Sequence, residues 1–351
     1  MKGTPENATF VDAAALEAFA ASVLEGAGLD EECADVVANT LVDANLRGVD
    51  THGVVRLEPY AERIESGGLN PDPDVRVESV REAAAVVDGD GGPGQVATLR
   101  AMEGAITLAE DAGGAFVGVR NSNHFGTAAY YTNVAAERGY IGLCMTHAGP
   151  NVAPFGGADP YFGTNPIAVG LPGEEFPVTL DMATSVTAKG SVILAEEEGE
   201  EIPPEWAIDA SGRPTTDPAD FHALQPLGGP KGYGLAFVVD ALCGVLLDTV
   251  FGEGVPTMYD DLSSPQELGH FVGAINVEAF TDLTGFHRRL SRMIAEVKST
   301  RPGEGFEEVL VPGEPEARTK KERLEEGIPL GSGVSGTLQS LGDRYGREFP
   351  A

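Results

Sequence analysis

Asn70-Pro71-Asp72-Pro73 separates two parts of the 351-residue chain that have different hydrophobic patterns. Two prolines within four residues end a helix and seldom enter a strand. Before this segment, apolar residues such as Leu16, Phe19 and Val23 recur at helical spacing, which predicts helices. We therefore expect a helical subdomain over residues 1–73, and a different kind of structure after the linker.

The part that follows the linker alternates short apolar runs with amphipathic stretches. The runs predict strands at residues 83–87, 115–119, 141–145, 167–171 and 178–180. The stretches between and after them predict helices at residues 95–112, 127–138, 231–247 and 283–298. This alternation predicts a mixed helix and sheet domain over residues 74–314, and we expect residues 315–351 to pack back on the N-terminal helices.

The charge balance excludes several classes of partner. Lys and Arg number 23 against 55 Asp and Glu, a formal net charge of −32. A field of this sign repels nucleic acid and anionic membranes, so we expect neither as a partner. The longest apolar stretch, residues 235–247, is too short to span a bilayer, and residues 1–10 lack an apolar leader, which predicts a cytoplasmic protein. The acidic excess is typical of a protein from a halophile. Molar salt shortens the screening length to about 3 Å, which removes most of the repulsion among the carboxylates.

The cysteines and most histidines give no sign of a metal site. No spacing typical of zinc ligands occurs among Cys33, Cys144 and Cys243 or among His147, His222, His270 and His287. We therefore predict no bound metal.

Thr51-His52-Gly53-Val54-Val55-Arg56 lies at the start of a predicted third helix over residues 52–64. Helical spacing puts His52 and Arg56 four residues apart on one face. An imidazole transfers a proton near neutral pH, and a guanidinium matches a carboxylate, so the pair suits a 2-oxo or 2-hydroxy acid. The spacing fits equally a histidine at a helix start followed by a solvent-exposed arginine.

Two further loops precede predicted helices, where free backbone N–H groups attract anions. Residues 121–127, which include His124, follow a predicted strand. Residues 228–234 place Lys231 in a glycine-rich loop that lacks the Walker A spacing. Either loop could instead be a simple turn or helix cap. Asp181 ends another strand, and its position favours a capping role.

A third glycine-rich loop, residues 89–94, matches the dinucleotide motif G-x-G-x-x-G and stands between a predicted strand and helix. Asp88 and Asp90 would place negative charge against a pyrophosphate, however, and the next strand ends in Arg120 instead of an acidic residue. An Asp-Gly turn explains the same glycines.

Taken together, residues 43–53, 121–126, 162–166, 181–185 and 228–235 resemble the type-2 malate/L-lactate dehydrogenase family. That family also includes sulfolactate and ureidoglycolate dehydrogenases and a cyclic-imine carboxylate reductase. The resemblance runs from about residue 10 to about residue 330, with the motifs in the same order.

The resemblance implies an α+β fold: an N-terminal helical subdomain and a non-Rossmann cofactor domain of the sulfolactate dehydrogenase-like type. Residues 89–94 are then a turn. It also implies an NAD- or NADP-dependent enzyme, a homodimer or larger, that interconverts a malate- or lactate-like 2-hydroxy acid and its 2-oxo acid. Alternatives within the family are a cyclic-imine carboxylate reductase and a ureidoglycolate-type dehydrogenase. A non-redox nucleotide-phosphate-binding protein would explain the glycine-rich loops but not His52 and Arg56.

The same resemblance assigns residue roles. It implies that His52 transfers the proton with help from Thr51, which stands where serine is usual, while Arg56 holds the substrate carboxylate and Thr164 lies beside the substrate. His124 lines both ligands and is the rival for proton transfer. The cofactor contacts carried over are His124, Phe125, Gly126, Thr127, Ala183, Thr184, Ser185, Lys231, Gly313 and Glu314.

Overall fold

The N-terminal part of the chain is helical, as the apolar spacing predicts. The computed structural model describes residues 8–259 and 261–350, and only the backbone of residues 79–80, so residues 1–7 and 351 of the predicted subdomains lie outside the described residues. Three helices follow one another: α1 (Ala13–Ala27), α2 (Glu31–Leu46) and α3 (Leu57–Ser66). Asp12 and Asp30 cap the first two, because their carboxylates accept the N–H groups of Ala15 and Cys33.

The predicted helix over residues 52–64 is wrong at its start. Two short 3₁₀ turns, Asp50–His52 and Val54–Arg56, precede α3 and are separated by extended backbone at Gly53. The cause is Asn45, whose Oδ1 accepts the Val54 N–H at 2.8 Å and would lie 2.1 Å from a Cβ at Gly53. His52 and Arg56 therefore do not share a face of one helix.

The rest of the described residues adds seven helices. They are α4 (Gly94–Ala112), α5 (Ala128–Glu137), α6 (Lys189–Glu198), α7 (Pro230–Asp240), α8 (Leu283–Lys298), α9 (Glu314–Glu326) and α10 (Ser332–Tyr345). The helix predicted over residues 231–247 changes to a π turn at Ala241–Val245. No helix in the described ranges combines the length and apolar character needed to cross a membrane.

The twelve strands in the described ranges form three sheets. They are β1 (Thr9–Val11), β2 (Arg76–Val80), β3 (Ala84–Asp88), β4 (Gly114–Ser122), β5 (Tyr140–Thr146), β6 (Ile167–Leu171), β7 (Val178–Met182), β8 (Ala207–Ile208), β9 (Pro214–Thr215), β10 (Ala223–Leu224), β11 (Leu268–Asn276) and β12 (Ile328–Leu330). The main sheet has the order β2-β3-β4-β11-β5-β6-β7, while β8 to β10 form a small sheet and β1 pairs with β12.

Only the β3–β4 pair of the main sheet is parallel; its other neighbours are antiparallel. A dinucleotide-binding Rossmann sheet is mostly parallel, so this fold is of another type. The predicted α+β class with a non-Rossmann second part is confirmed. Four alanines of α4 at helical spacing, Ala97, Ala101, Ala105 and Ala109, let the helix approach the sheet closely.

Residues 89–94 form a turn whose backbone packs against Asn123. Asn123 donates its amide N–H groups to the carbonyls of Gly91 and Gly92 at 2.7 and 3.0 Å. A Cβ at Gly94 would lie 2.1 Å from the Asn123 carbonyl oxygen. The glycines therefore permit close backbone packing, as the interpretation of this loop as a turn requires.

The C-terminal segment returns to the N-terminal helices. β12 runs antiparallel to β1, and Ile328, Leu330 and Leu338 share one buried cluster with Leu16. The same cluster contains Met258, which belongs to the predicted second domain. The predicted division at residues 73 and 314 therefore stays a prediction.

Candidate active site

A cleft of about 530 Å³ lies between the 3₁₀ turn at His52, the start of α5, the end of β7 and the loop before α9. A second cavity of about 390 Å³ shares Arg47, Thr179 and Gly313 with it, so the two form one elongated groove. The structure brings six of the residues predicted for the site to the wall of the larger cavity: His52, Gly126, Thr127, Thr164, Ala183 and Gly313.

His52 lines this cleft, and the imidazole of His124, which does not line it, stacks on His52. The ring centroids of His52 and His124 lie 5.8 Å apart with an angle of 21° between the ring planes. The Thr51 hydroxyl lies 3.0 Å from Nδ1 of His52, so the predicted Thr51–His52 contact exists. Burial, and secondarily the charge of Arg56, lowers the pKa of His52 to about 4.

His124 is held from the other side by α3. Its Nδ1 lies 2.6 Å from the Tyr60 hydroxyl, which also accepts a hydrogen bond from the Gln95 amide at 2.9 Å. Burial lowers the pKa of His124 well below its usual range, and the charge of Arg56 lowers it further. Both imidazoles are therefore neutral at pH 7.

Arg56 does not line the cleft and does not share a helix with His52, but its charge lowers the pKa of both rings. Its Nε donates to the Thr51 carbonyl at 2.7 Å, and its guanidinium donates to the Tyr259 hydroxyl. Burial lowers the pKa of Arg56, but a guanidinium stays charged at neutral pH. The site thus combines one fixed cation with two neutral imidazoles, an arrangement that can bind a carboxylate and exchange a proton with a neighbouring oxygen.

The start of α5 supplies polar groups to the middle of the cleft. Thr127 occupies the N-cap position without making a capping hydrogen bond, and its buried Oγ1 has no partner within the described ranges. Gly126 has φ +80°, and open space lies where a side chain would be. Asp181 accepts the Ala129 N–H at 2.9 Å, so it caps α5 instead of the segment that follows it.

Three predicted cofactor residues point their side chains into the protein. Phe125 is buried against His270 and Tyr131. The hydroxyls of Thr184 and Ser185 donate to the carbonyls of Thr164 and Thr187 at 2.9 and 2.7 Å. These side chains support the cleft wall from behind.

Lys231 and Glu314 do not line the cleft. Lys231 is exposed in the first turn of α7, although its loop is joined to the cleft wall by the Leu227 N–H, which donates to the Thr184 carbonyl at 2.8 Å. The buried Glu314 carboxylate accepts from Lys298 and Arg318.

Four residues of the candidate site were not predicted from the sequence: Tyr60, Gln95, Tyr259 and Arg47. Tyr60 follows Arg56 by one helical turn in α3, a spacing that could have drawn attention to it. Gln95 and Tyr259 reach the site from distant segments, and nothing in their neighbourhoods distinguishes them from surface residues. Arg47 is only 7% exposed, but burial is not visible in sequence.

Comparison with known proteins shows the family of the chain and its fold. A sequence profile of the malate/L-lactate dehydrogenase family matches residues 11–339. Ureidoglycolate dehydrogenase (NAD(+)) of Escherichia coli strain K12 is 43% identical over 305 residues, 87% of this chain and 87% of that protein. Malate dehydrogenase of Pyrococcus abyssi is 41% identical over 341 residues, 94% of this chain and 93% of that protein. The solved structure of sulfolactate dehydrogenase from Methanocaldococcus jannaschii matches with a TM-score of 0.91 at 36% identity, covering 97% of this chain and 98% of that one.

The fold, the cleft and these likenesses define a dehydrogenase of the type that acts on 2-hydroxy acids. The chain belongs to the malate/L-lactate dehydrogenase family. The resemblance carried by the sequence motifs is thereby confirmed, as is the sulfolactate dehydrogenase-like fold that it implies.

Proposed function

We propose that the protein interconverts a malate- or lactate-like 2-hydroxy acid and its 2-oxo acid, with NAD or NADP as the hydride carrier. The observation that carries this proposal is the stacked pair of imidazoles near the half-buried guanidinium of Arg56. The names of the relatives, which include malate, sulfolactate and ureidoglycolate dehydrogenases, support the class of substrate.

The residues along the groove fit a dinucleotide. The unpartnered Thr127 hydroxyl offers a hydrogen bond to a polar ligand group, and Gly126 leaves open space beside it. Ala183 and Gly313 would complete the wall. When bound, the nicotinamide supplies or accepts the hydride.

His52 transfers the proton in this proposal. In the oxidation direction its imidazole takes the proton of the substrate hydroxyl, and its low pKa of about 4 keeps it unprotonated and free to accept that proton at neutral pH. In the reduction direction it must first be protonated. A substrate carboxylate that binds at Arg56 brings a negative charge close to His52 and raises its pKa, so the oxo acid binds together with a proton.

Arg56 holds the substrate carboxylate with its planar fork, and Thr164 lies beside the substrate. The guanidinium is already oriented by the Thr51 carbonyl and the Tyr259 hydroxyl, so little side-chain freedom is lost on binding. His124, stacked on His52, is the second candidate for proton transfer.

A ureidoglycolate-type activity is the second candidate function, favoured by the 43% identity with that dehydrogenase. A cyclic-imine carboxylate reductase activity is tested as well, by including a cyclic imine carboxylate in the substrate panel. A non-redox nucleotide-phosphate-binding protein finds no support in the family to which the chain belongs.

We further propose a homodimer. Phe237, Val238, Val245, Leu246 and Phe251, on and after α7, are each at least 50% exposed, and an apolar patch of this kind marks an interaction surface. Leu246→Arg should yield monomers in light scattering, whereas Met293→Arg, an equally exposed apolar position on α8, should not. A monomeric wild-type protein would contradict the proposal.

The function is tested with a substrate panel in buffer containing molar KCl. Oxaloacetate, pyruvate, sulfopyruvate, oxalurate and a cyclic imine carboxylate are each offered with NADH and with NADPH, and oxidation of the cofactor is followed by absorbance. We expect turnover with at least one straight-chain 2-oxo acid. Turnover with the imine alone would replace the proposal by the reductase, and no turnover with any substrate would reject it.

A further inference from the structure

Tyr60 and Gln95 form a buried pair that the proposed reaction does not use. Tyr60 is 3% exposed and Gln95 is 1% exposed. The Gln95 amide N–H donates to the Tyr60 oxygen at 2.9 Å, and the same oxygen lies 2.6 Å from Nδ1 of His124. The pair therefore contacts the candidate site through a single ring nitrogen.

The direction of the Tyr60–His124 hydrogen bond follows from its neighbours. Because the Tyr60 oxygen accepts from Gln95, its own proton is available for Nδ1 of His124. The backbone N–H of Gly126 also points at Nδ1, at 3.4 Å. A ring nitrogen that accepts from donors cannot carry a proton itself, so in the neutral ring the proton is on Nε2.

We propose that Tyr60 is a positioning residue, which fixes His124 in the tautomer protonated on Nε2 and so makes it a hydrogen-bond donor to the substrate oxygen instead of a base. This role rests on the proposed function, since it needs an oxygen that gains negative charge in the reduction. It divides the work of the two histidines: His52 transfers the proton, and His124 polarises the 2-oxo group.

The surroundings of His124 agree with this division. Burial disfavours the cationic form of its ring, and so does the charge of Arg56. Burial raises the pKa of Tyr60, so its hydroxyl remains protonated and able to donate. A neutral donor of fixed direction meets the developing charge without reorganisation, which is the property required of a transition-state stabiliser.

The first test observes the tautomer in the wild-type protein. In protein labelled with ¹⁵N-histidine, long-range ¹H–¹⁵N correlation at pH 7 distinguishes a protonated from an unprotonated ring nitrogen. The signal that disappears in His124→Asn belongs to His124. We expect the ¹⁵N chemical shift of Nδ1 to be that of an unprotonated nitrogen and the shift of Nε2 to be that of a protonated one. The reverse pattern would overturn the proposal.

The second test removes the hydroxyl. Tyr60→Phe should shift His124 toward a mixture of tautomers. Tyr130→Phe is the matched control, because it removes a part-buried hydroxyl that bonds to Asn39 at 2.7 Å; it should leave the spectrum of His124 unchanged. An unchanged tautomer in Tyr60→Phe would overturn the positioning role, and the wild-type spectrum decides the tautomer even if this variant does not fold.

The third test measures kinetics on whichever oxo acid the panel identifies. Tyr60→Phe should lower kcat by roughly 10² because the donor loses its direction, while the KM for the oxo acid changes less than threefold. A loss confined to KM would overturn the role in catalysis. The spectra need no turnover, so a failure of the proposed function and a failure of this inference are distinguishable.

Discussion

At the scale of single residues, burial sets the chemistry of the site. His52 and His124 are neutral because the protein removes water from them and places Arg56 beside them. Neither effect depends on a carboxylate partner. In many hydrolases, by contrast, the catalytic histidine is paired with a carboxylate.

His52→Ala should lower kcat by about 10² to 10⁴, the usual contribution of a general acid or base, while the affinity for the dinucleotide remains nearly unchanged. Steady-state rates and fluorescence titration with NADH or NADPH measure the two effects. His287→Ala, on the distant α8, is the control. Unchanged turnover in His52→Ala would move the proton transfer to His124.

Arg56→Lys should mainly raise the KM for the acid, because an ammonium is a point charge and cannot replace the planar fork. The smaller group also loses the contact with Tyr259. Initial rates over a range of acid concentrations measure the effect. A KM equal to that of the wild type would remove Arg56 from the substrate site.

The residues of the site were only partly predictable from sequence. His52 and Arg56 were identified from a helical spacing that the structure does not contain, yet Arg56 still influences the pKa of His52. Tyr60, Gln95 and Tyr259 gain their roles from contacts between distant segments. Thr184 and Ser185 were found by motif, but the direction of their side chains depends on burial.

At the scale of elements, the apolar runs predicted the main strands well, and the bounds of α8 agree with the prediction. β11 was not predicted. It lies between β4 and β5 in the sheet, and both of these strands are more than 100 residues earlier in the chain, so the pairing is not visible in the local sequence. The break before α3 was missed because Asn45, a residue of another helix, causes it.

Gly53→Ala tests that break. A Cβ there would lie 2.1 Å from Asn45 Oδ1, so we expect the free energy of unfolding to fall by about 1 to 3 kcal/mol. Gly104→Ala, in the middle of α4 with no atom within 4 Å of the added Cβ, is the matched control and should raise it by up to about 1 kcal/mol. Denaturant titration at constant KCl measures both, and equal effects at the two positions would contradict this account.

At the scale of the whole molecule, stability depends on both protons and salt. Burial, with a smaller effect of His147, lowers the pKa of His270 to about 3, and its ring bonds to Thr146 and Ser122 at 2.7 and 2.9 Å. In the unfolded chain the same side chain has a pKa near 6.5. Below that pH the unfolded state binds a proton that the folded state excludes.

The contribution of His270 to stability is therefore complete above pH 6.5 and is lost as the pH falls from 6.5 toward 3. As the pH falls, the free energy of unfolding should decrease less steeply in His270→Gln than in the wild type. The two slopes should differ by up to about 1.4 kcal/mol per pH unit. Denaturant titrations between pH 5 and 7 measure the slopes, with His287→Gln as the control. Identical slopes for His270→Gln and wild type would show that His270 is not neutral in the fold.

The net charge of −32 predicts that salt is needed for folding. Removing KCl should lower the helical circular dichroism signal, because repulsion among carboxylates is then unscreened. A helical signal that persists unchanged in salt-free buffer would reject the halophilic interpretation.

The pairing of β1 with β12 has a consequence for biosynthesis. The two strands lie more than 300 residues apart in the chain, and Ile328 and Leu338 complete the cluster around Leu16. While the polypeptide emerges from the ribosome, α1 to α3 cannot bury this surface until nearly all of the chain has been translated. We expect nascent chains that stop before Ile328 to engage chaperones and to be digested by protease, which ribosome-stalled chains of increasing length would reveal as a late gain of resistance.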